Sequence, residues 1–386
     1  MKVNKIIAHN IISSLGITTE ENYNNVISGN SGVKKYEKNI WSIPEPIAVA
    51  NVDKIRIYNE FINKVGINPN DYTLLETIGI LSSFQAVNQT EVDLKSERTI
   101  FIFSSTKGNI ELLELDNSTQ NEKLFLWNTA SLISNFYSNP NKPIVISNAC
   151  ISGSSAMIVA DKLLNAGIYD TAIIIGFDVL SKFAISGFQS FQALSPERCK
   201  PFDINRIGLN LGEAAATIVM QSSKDEHKSG DIIFHSGSIT NDANHISGPS
   251  RTAEGLYKAI EKTIIASTNS DIDFQIDFIC THGTSTPYND DMEALAITRN
   301  NLENIPAFSL KGYFGHTLGA AGILENIISI ELLKNNMIIK SLGYEICGVK
   351  NPINISTTTH NNTNKSFLKT ISGFGGCNAA TIITKI

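Results

Sequence analysis

The stretch KPIVISNACISGSSAMIVADKLLNAG, residues 142–167, decides the fold of this chain. An apolar run rich in β-branched residues leads into Cys150, small residues follow, and a helical pattern then begins. We therefore expect Cys150 at the N-terminus of a helix, where free N–H groups and a positive partial charge favour the reactive thiolate. Cysteine is also a common small hydrophobe of protein cores, so this stretch alone leaves both interpretations open.

Strand and helix patterns alternate along the whole chain. The predicted elements are strands over 99–105, 143–149, 171–177, 214–221, 274–283 and 379–386, and helices over 154–167 and 320–336. Near-continuous β-branched strands that are separated by helices indicate an α/β protein whose sheets are covered on both faces.

A second junction between a strand and a helix repeats the arrangement around Cys150. There PAFSLKGYFGH leads into His316, and the small residues TLGAAG lead into the next helix. The polar tract QSSKDEHKSGD, residues 221–231, is the best candidate for a linker. We therefore predict a duplicated architecture with an N-terminal half over 1–225 and a C-terminal half over 226–386.

The composition narrows the class of protein. The 386 residues are 42% hydrophobic and carry a net charge of −6, which allows a large core and, without a basic stripe, argues against a nucleic-acid partner. Five cysteines without CxxC spacing argue against a disulfide framework or a zinc site and predict a reducing compartment. Because we find no signal-peptide pattern and no apolar run approaching a membrane span, we expect a cytoplasmic protein without membrane contact.

The segment CTHGTSTPYNDDMEA, residues 280–294, carries the next candidate residue. His282 leaves a predicted strand and enters a loop of glycine and threonine, which suits either a cleft or an ordinary hydrogen-bonded loop histidine. The acidic side chains of Asp290, Asp291 and Glu293 match no metal-binding spacing. We predict that they are surface charges or helix N-terminal acids.

Two glycine-containing segments complete the set of candidates. In SLKGYFGHTLGAAGILE, residues 309–325, Lys311 and His316 stand among glycines that permit close backbone approach. Glu325 falls in an apolar helical pattern, where a carboxylate needs a partner such as Lys311, although both residue types are usually exposed. The C-terminal GFGG reads as a loop that can approach a ligand, with Phe374 as its bulky side chain.

In order and spacing, these segments resemble the β-ketoacyl-acyl carrier protein synthases. These are the decarboxylating condensing enzymes of fatty acid and polyketide synthesis, and the chain is most similar to the elongating synthases of types I and II. The motifs that carry the resemblance are NACISG, THGTST, KGYFGHTLGAAG and GFGGCN, and further matches at 12–33, 191–220 and 240–260 extend it over nearly the whole chain. The resemblance implies the thiolase fold, a duplicated five-layered αβαβα arrangement, in a protein that is usually a homodimer.

The resemblance also assigns roles to the candidate residues. It implies that Cys150 is the acyl-accepting nucleophile and that His282 and His316 are the two catalytic histidines. Lys311 would order the site, with Glu325 as its buried counter-charge. The implied reaction transfers an acyl group to Cys150 and then condenses it with malonyl-acyl carrier protein, which loses carbon dioxide and yields a β-ketoacyl product.

Other residues would bind the substrates. The resemblance implies that Phe374 gates the site and that its backbone N–H joins that of Cys150 in an oxyanion hole, with Thr284, Thr286 and Gly375 along the arm of the carrier's pantetheine. It implies no metal and no organic cofactor.

The implied partner is the acyl carrier protein, loaded with an acyl or a malonyl group. Because this carrier is acidic, we expect a basic patch near the entrance, and Arg198, Lys200 and Arg206 lie in a segment that borders the entrance in the family.

The chain departs from the family in three places. The region 104–142 is short and has STKGN where a glycine-rich loop is usual, Ser372 replaces an aromatic residue, and Cys377 stands where threonine is common. These changes predict a specialised synthase, of the polyene-pigment or polyketide kind, rather than the housekeeping enzyme. Thiolases use a second cysteine as a base, but neither Cys280 nor Cys377 fits their motif.

The alternative is a non-catalytic subunit that resembles a chain-length factor and pairs with an active synthase. An active subunit can also form a heterodimer of this kind. Partners of this kind usually lack the nucleophile. Cys150, His282, Lys311 and His316 are all present here, which favours the enzyme.

Overall fold

The computed structural model of the chain describes residues 3–37, 43, 45–115, 121–223, 228–245, 248–269, 272 and 274–386. The boundary predicted between residues 225 and 226 lies outside the described residues, as do 224–227 of the predicted linker and 116–120 of the atypical region.

The first part of the chain alternates strands and helices. In chain order they are β1 (Val3–Ser13), α1 (Thr19–Ile27), β2 (Lys34–Tyr36), β3 (Ile47–Ala50), α2 (Lys54–Val65), α3 (Leu74–Val87), β4 (Thr99–Ser104), α4 (Leu112–Leu115), α5 (Leu126–Phe136), β5 (Ile144–Ile146), α6 (Ser152–Asn165), β6 (Thr171–Asp178), α7 (Lys182–Ser190), β7 (Leu211–Gly212) and β8 (Ala214–Ser223).

The second part repeats the alternation. Its elements are β9 (Ile232–Asn241), α8 (Glu254–Thr268), β10 (Ile276–Thr281), α9 (Pro287–Arg299), β11 (Ala307–Ser309), α10 (Lys311–Phe314), α11 (Ala321–Lys334), β12 (Met337–Ile338), β13 (His360–Asn361), β14 (Ser366–Gly373) and β15 (Cys377–Lys385).

The main sheet consists of two halves with one topology. Its strand order is β11-β10-β14-β15-β9-β1-β8-β6-β4-β5. We number the five strands of each half in chain order. From the outer edge of the sheet to its centre, the order of the strands is then third, second, fourth, fifth and first in both halves. Within the described residues, the two halves pair only where Asn4 and Lys5 of β1 meet Phe234 and Ile233 of β9. The sheet is therefore a duplicated five-stranded unit joined at a narrow seam, and the predicted duplicated α/β fold is confirmed.

Helices α6 and α11 form the layer between the two half-sheets. Each contacts strands of both halves, and α11 is buried on nearly all sides, since apolar residues occur all round the helix. The helices approach closely at their N-terminal ends, where a Cβ atom on Gly153 would lie 2.9 Å from the backbone nitrogen of Ile323. This contact brings the segments that precede the two helices, which contain Cys150 and His316, to one place.

The outer layers complete the five-layered arrangement. Helix α3 packs on β1, β6 and β8, and its start is fixed by a capping box between Thr73 and Glu76. Helix α8 packs on β9 and β15 on the opposite side. Within the described residues, three large hydrophobic cores fill the spaces between the layers, and a smaller core lies around β3 and β7. In the described ranges, no helix is both long enough and apolar enough to cross a membrane.

Candidate active site

Cys150 lies in a tight turn between β5 and α6. The hydroxyl of Ser152 accepts a hydrogen bond from the backbone N–H of Asn148 at 2.8 Å and donates one to the carbonyl of Ala149 at 2.6 Å. Ala149 has a φ of 45°, a left-handed conformation that costs energy for a non-glycine residue. The turn places Cys150 two residues before the start of α6.

The thiol of Cys150 is protonated in this arrangement. Burial raises the pKa of the thiol to about 12, and the neighbouring Cys377 adds to the increase. The charge of Lys311 and a hydrogen bond from the backbone N–H of Phe374 lower the pKa without restoring its ordinary value. In this buried site, the loss of water outweighs the charge of Lys311 and so opposes the thiolate that the sequence predicts.

His282 follows β10 directly, and two carboxylates of α9 hold its loop. The backbone N–H groups of His282 and Gly283 each donate to Glu293 at 2.7 Å, and that of Thr284 donates to Asp290 at 2.9 Å. Both acids are buried. Glu293 is therefore not a surface charge, whereas Asp290 lies in the first turn of α9 and is a helix N-terminal acid.

His316 lies in the turn between α10 and α11. Its backbone N–H donates to the carbonyl of Asn210 at 2.6 Å, and Gly315 before it adopts a φ of 66°. The ring Nδ1 accepts the backbone N–H of Leu318 at 3.3 Å, so the proton of the neutral ring is on Nε2. This Nε2 is buried and has no hydrogen-bond partner among the described residues.

The two histidines face each other across one site. Their ring centroids are 5.1 Å apart and the rings are nearly perpendicular, at 81°. Burial, together with the charge of Lys311, lowers the pKa of both imidazoles well below the ordinary value, so both are neutral. Nδ1 of His282 is also buried without a partner in the described part of the chain. Two neutral imidazoles with free ring nitrogens can donate hydrogen bonds to one substrate oxygen.

Glu325 lies between two buried lysines. Lys311 forms the ion pair with Glu325 that the sequence predicts, and both side chains are buried. Lys369 of β14 contacts the other carboxylate oxygen at 2.8 Å. Although burial alone would raise the pKa of Glu325, the two ammonium groups hold it below its ordinary value. The sequence analysis missed Lys369, although a lysine within the apolar strand SFLKTISG signals a buried charge that needs a partner.

The loop of Phe374 covers the cysteine. The Phe374 ring packs on Phe188 and Phe191 with centroid distances of 5.4 Å to each. Gly375 has a φ of 84°, and its carbonyl accepts a hydrogen bond from the side chain of Asn241 at 3.0 Å. The loop is therefore anchored by Asn241 and by the aromatic contacts of Phe374, with the backbone N–H of Phe374 next to the thiol.

Asp178 joins the atypical region to the site. Its carboxylate contacts Nζ of Lys107 at 2.9 Å and accepts the backbone N–H of Thr106 at 3.0 Å and of Gly319 at 2.7 Å. The loop after β4 is thus tied to the segment after His316. The sequence analysis missed Asp178 and Lys107, because only the fold brings these distant segments together.

Thr284 and Thr286 are neighbours in the loop after His282. Their hydroxyls lie 2.8 Å apart, Thr284 is buried, and Thr286 is half-buried at the start of α9.

The three basic residues predicted at the entrance differ in placement. Arg198 is exposed, and Lys200 is half-buried with its backbone N–H donating to Ser285 at 2.8 Å; both line a small pocket. The Arg206 guanidinium is mostly buried and binds the carbonyl of Gly348 at 2.6 Å and Asp291 at 3.1 Å. Arg206 is therefore not a free surface cation of the predicted basic patch, because its hydrogen bonds hold two loops together.

Cys377 lies beside the site, and its pKa does not favour the thiolate that a catalytic base requires. Burial raises the pKa of its thiol to about 11, and Sγ donates to the carbonyl of Phe374 at 3.3 Å. The described residues contain no group of three or more His, Cys, Asp or Glu side chains that could hold a metal ion.

Comparison with known sequences identifies one family. The profile of the β-ketoacyl synthase N-terminal domain matches residues 5–226, and that of the β-ketoacyl synthase C-terminal domain matches residues 232–345. The chain is 29% identical to 3-oxoacyl-[acyl-carrier-protein] synthase 2 of Rhizobium meliloti, over 64% of this chain and 61% of that protein. It is also 29% identical to the mitochondrial 3-oxoacyl-[acyl-carrier-protein] synthase of Arabidopsis thaliana, over 65% of this chain and 57% of that protein. The match thus spans about three fifths of these relatives.

Solved structures share the fold over the whole chain. A β-ketoacyl synthase from Burkholderia phymatum aligns with a TM-score of 0.86 at 23% identity, covering all of both chains. A chain of the ketosynthase ApeO in complex with its chain length factor ApeC, from Xenorhabdus doucetiae, aligns with a TM-score of 0.85 at 22% identity, covering 100% of this chain and 98% of that one.

Proposed function

The chain belongs to the β-ketoacyl synthase family, and from this premise we propose that it is a 3-oxoacyl-acyl carrier protein synthase. The observation that carries the proposal is one site in which Cys150 feels the charge of Lys311, which pairs with Glu325, and in which two neutral imidazoles, His282 and His316, each have one ring nitrogen without a partner among the described residues. A nucleophile beside two hydrogen-bond donors suits a covalent acyl transfer followed by stabilisation of an enolate.

The first half-reaction loads the enzyme. The sulfur of Cys150 attacks the thioester carbon of the acyl carrier, the carrier's C–S bond breaks, and the thiol proton of Cys150 goes to the departing thiolate. The backbone N–H groups of Cys150 and Phe374 stabilise the tetrahedral oxyanion. Because Cys150 is buried and the loop of Phe374 is next to it, we expect the Phe374 side chain to move when the pantetheine arm enters along Thr284, Thr286 and Gly375.

The second half-reaction forms the carbon–carbon bond. His282 and His316 donate hydrogen bonds to the thioester oxygen of malonyl-acyl carrier protein, and the bond to the carboxylate breaks to release carbon dioxide and leave an enolate. The enolate carbon attacks the acyl carbonyl on Cys150. The bond to sulfur breaks, the β-ketoacyl carrier leaves, and the Cys150 thiolate takes up one proton.

A turnover assay tests this proposal. The purified protein is given acyl- and malonyl-loaded carrier protein, and the products are measured by mass spectrometry. Cys150→Ala is expected to reduce condensation by at least about 10³-fold, whereas Cys150→Gln, which cannot accept the acyl group, retains decarboxylation of the malonyl carrier. A Cys150→Ala variant that still elongates the acyl chain would refute the assignment.

The proposed partners are the acyl carrier protein and a second synthase subunit, either a copy of this chain or a related chain. Arg198 and Lys200 are the cations available for the acidic carrier. The departures from the family pattern in region 104–142, at Ser372 and at Cys377 support a specialised substrate range, of the polyene or polyketide kind. The alternative of a non-catalytic, chain-length-factor-like subunit is not favoured, since such a subunit has no need for the nucleophile and the paired imidazoles.

We also propose that the repeated topology reflects two halves, over 1–225 and 226–386, with the nucleophile in the first and the histidines and lysine in the second. The repeated strand order supports this division. The proposed location is the cytoplasm.

A further inference from the structure

Lys369 is a buried charge that the proposed chemistry does not use. It lies in the middle of β14, paired with Cys280 of β10 and Thr381 of β15, and its side chain is fully buried. Taking an ammonium group out of water costs several kcal/mol unless its charge and its hydrogen bonds are satisfied. A lysine in this position therefore requires an explanation.

The contacts of Lys369 lead directly to the catalytic ion pair. Its Nζ donates to the carbonyls of Thr370 at 2.6 Å and Cys280 at 3.3 Å, and it lies 2.8 Å from Oε2 of Glu325. That oxygen receives no well-aligned hydrogen bond from any described residue, so the contact is an ion pair. The other oxygen of Glu325 binds Lys311. One carboxylate is thus held from two sides by two ammonium groups.

Four buried groups form an alternating row of charges, Glu293, Lys369, Glu325 and Lys311. Burial would lower the pKa of Lys369, but Glu325 raises it above the ordinary value, so the lysine is charged. Burial raises the pKa of Glu293, which is opposed by hydrogen bonds from Gly283 and other donors and by Lys369. Without Lys369 the row would contain two carboxylates and one ammonium group.

The lysines of this row act electrostatically on the two histidines. The charged groups that act on them are Lys311 from α10, Lys369 from β14 and, for His316, Lys107 from the loop after β4. The carboxylates around them are Glu325 and Asp178, which pair with these lysines, and Glu293 of α9, which accepts the backbone N–H of His282. Lys369 lowers the pKa of both His282 and His316, in addition to burial and Lys311.

We propose that Lys369 is a positioning residue of the condensing site, which holds Glu325 from the side opposite Lys311 and adds a buried positive charge that acts with Lys311 on His282 and His316. This rests on the proposed function. Uncharged imidazoles stabilise the enolate oxygen without attracting the substrate carboxylate, which must leave as neutral carbon dioxide. An imidazolium would stabilise the carboxylate in the ground state and so oppose its loss.

The test compares Lys369→Met with the unaltered protein. Histidine-labelled full-length protein is titrated by NMR, and decarboxylation of malonyl-acyl carrier protein is measured over the same pH range. Removing the positive charge of Lys369 makes protonation of the imidazoles easier. The pH midpoints for protonation of His282 and His316 are therefore expected to rise by about one unit. The acid limb of the decarboxylation profile is expected to move to higher pH by a similar amount. The matched control is Lys365→Met, which removes an exposed lysine just before β14. This variant is expected to leave the histidine midpoints and the decarboxylation profile unchanged.

Unmoved histidine midpoints in Lys369→Met would overturn the proposal, even if activity falls, because a structural role lowers the rate without shifting the profile. If this variant does not fold, the unaltered protein decides the matter, since a midpoint at or above about 6.5 for either histidine contradicts the proposed field. The NMR titration needs no turnover. A chain that does not condense therefore refutes the proposed function separately from the role of Lys369.

Discussion

At the scale of single residues, the site separates what sequence patterns reveal from what they hide. Cys150, His282, Lys311, His316 and Glu325 each stand in a short motif with glycines or small residues, and the motifs predict them. Lys369 and Asp178 stand in no such motif, and Lys107 stands in STKGN, which departs from the family's loop. Their contacts join residues up to 141 positions apart, as between Asp178 and Gly319, and only the folded chain creates them.

The basic residues at the entrance give a prediction at the same scale. Reversing the charges of the exposed Arg198 and the half-buried Lys200 in Arg198→Glu/Lys200→Glu is expected to raise the KM for carrier protein about tenfold, with kcat nearly unchanged and a smaller effect at high salt. Arg206→Ala removes hydrogen bonds that join two loops and is expected to lower the free energy of unfolding by about 1–3 kcal/mol.

Steady-state kinetics and urea unfolding distinguish these effects, with Lys95→Glu as an exposed control on the first half of the chain. An unchanged KM in the Arg198 and Lys200 variant would exclude this surface from carrier binding.

At the scale of elements, α6 and α11 are the parts of the fold that the sequence predicts best. Both were predicted within two residues, because a strand, a run of small residues and an apolar helix follow in immediate succession. Strands β1, β9 and β14 were not predicted. Polar residues interrupt their patterns, and their place in the sheet depends on pairing with strands far along the chain.

The close contact between these two helices gives the next prediction. In Gly153→Ala, the added Cβ would lie 2.9 Å from the nitrogen of Ile323 and 3.0 Å from the carbonyl oxygen of Gly319, so α6 and α11 must separate. We expect a loss of about 1–3 kcal/mol in the free energy of unfolding and a reduced condensation rate.

The matched control is Gly187→Ala in α7, where a Cβ meets no atom within 4 Å. Since alanine favours helix, this variant is expected to be neutral or up to about 1 kcal/mol more stable. Equal unfolding midpoints for Gly153→Ala and Gly187→Ala would show that the helix contact does not constrain the site.

At the scale of the whole molecule, the duplication explains where the site lies. Each half provides a strand that ends in a loop and a helix that enters the central layer, and the two helices meet between the half-sheets. Cys150, the proposed nucleophile, comes from the junction in the first half, and His316 and Lys311 come from the junction in the second. The duplication was predictable from the repeated pattern, whereas the common strand order and the charge row beneath the histidines required the structure.

The central claim is that Cys150 carries the acyl group as a covalent intermediate. The unaltered protein is incubated with acyl-acyl carrier protein in the absence of malonyl carrier, and its intact mass and proteolytic peptides are measured by mass spectrometry. The account predicts a mass increase of one acyl group, located on the peptide that contains Cys150 and absent from Cys150→Ala. No increase, or an acyl group on Cys377 or another cysteine, would contradict it.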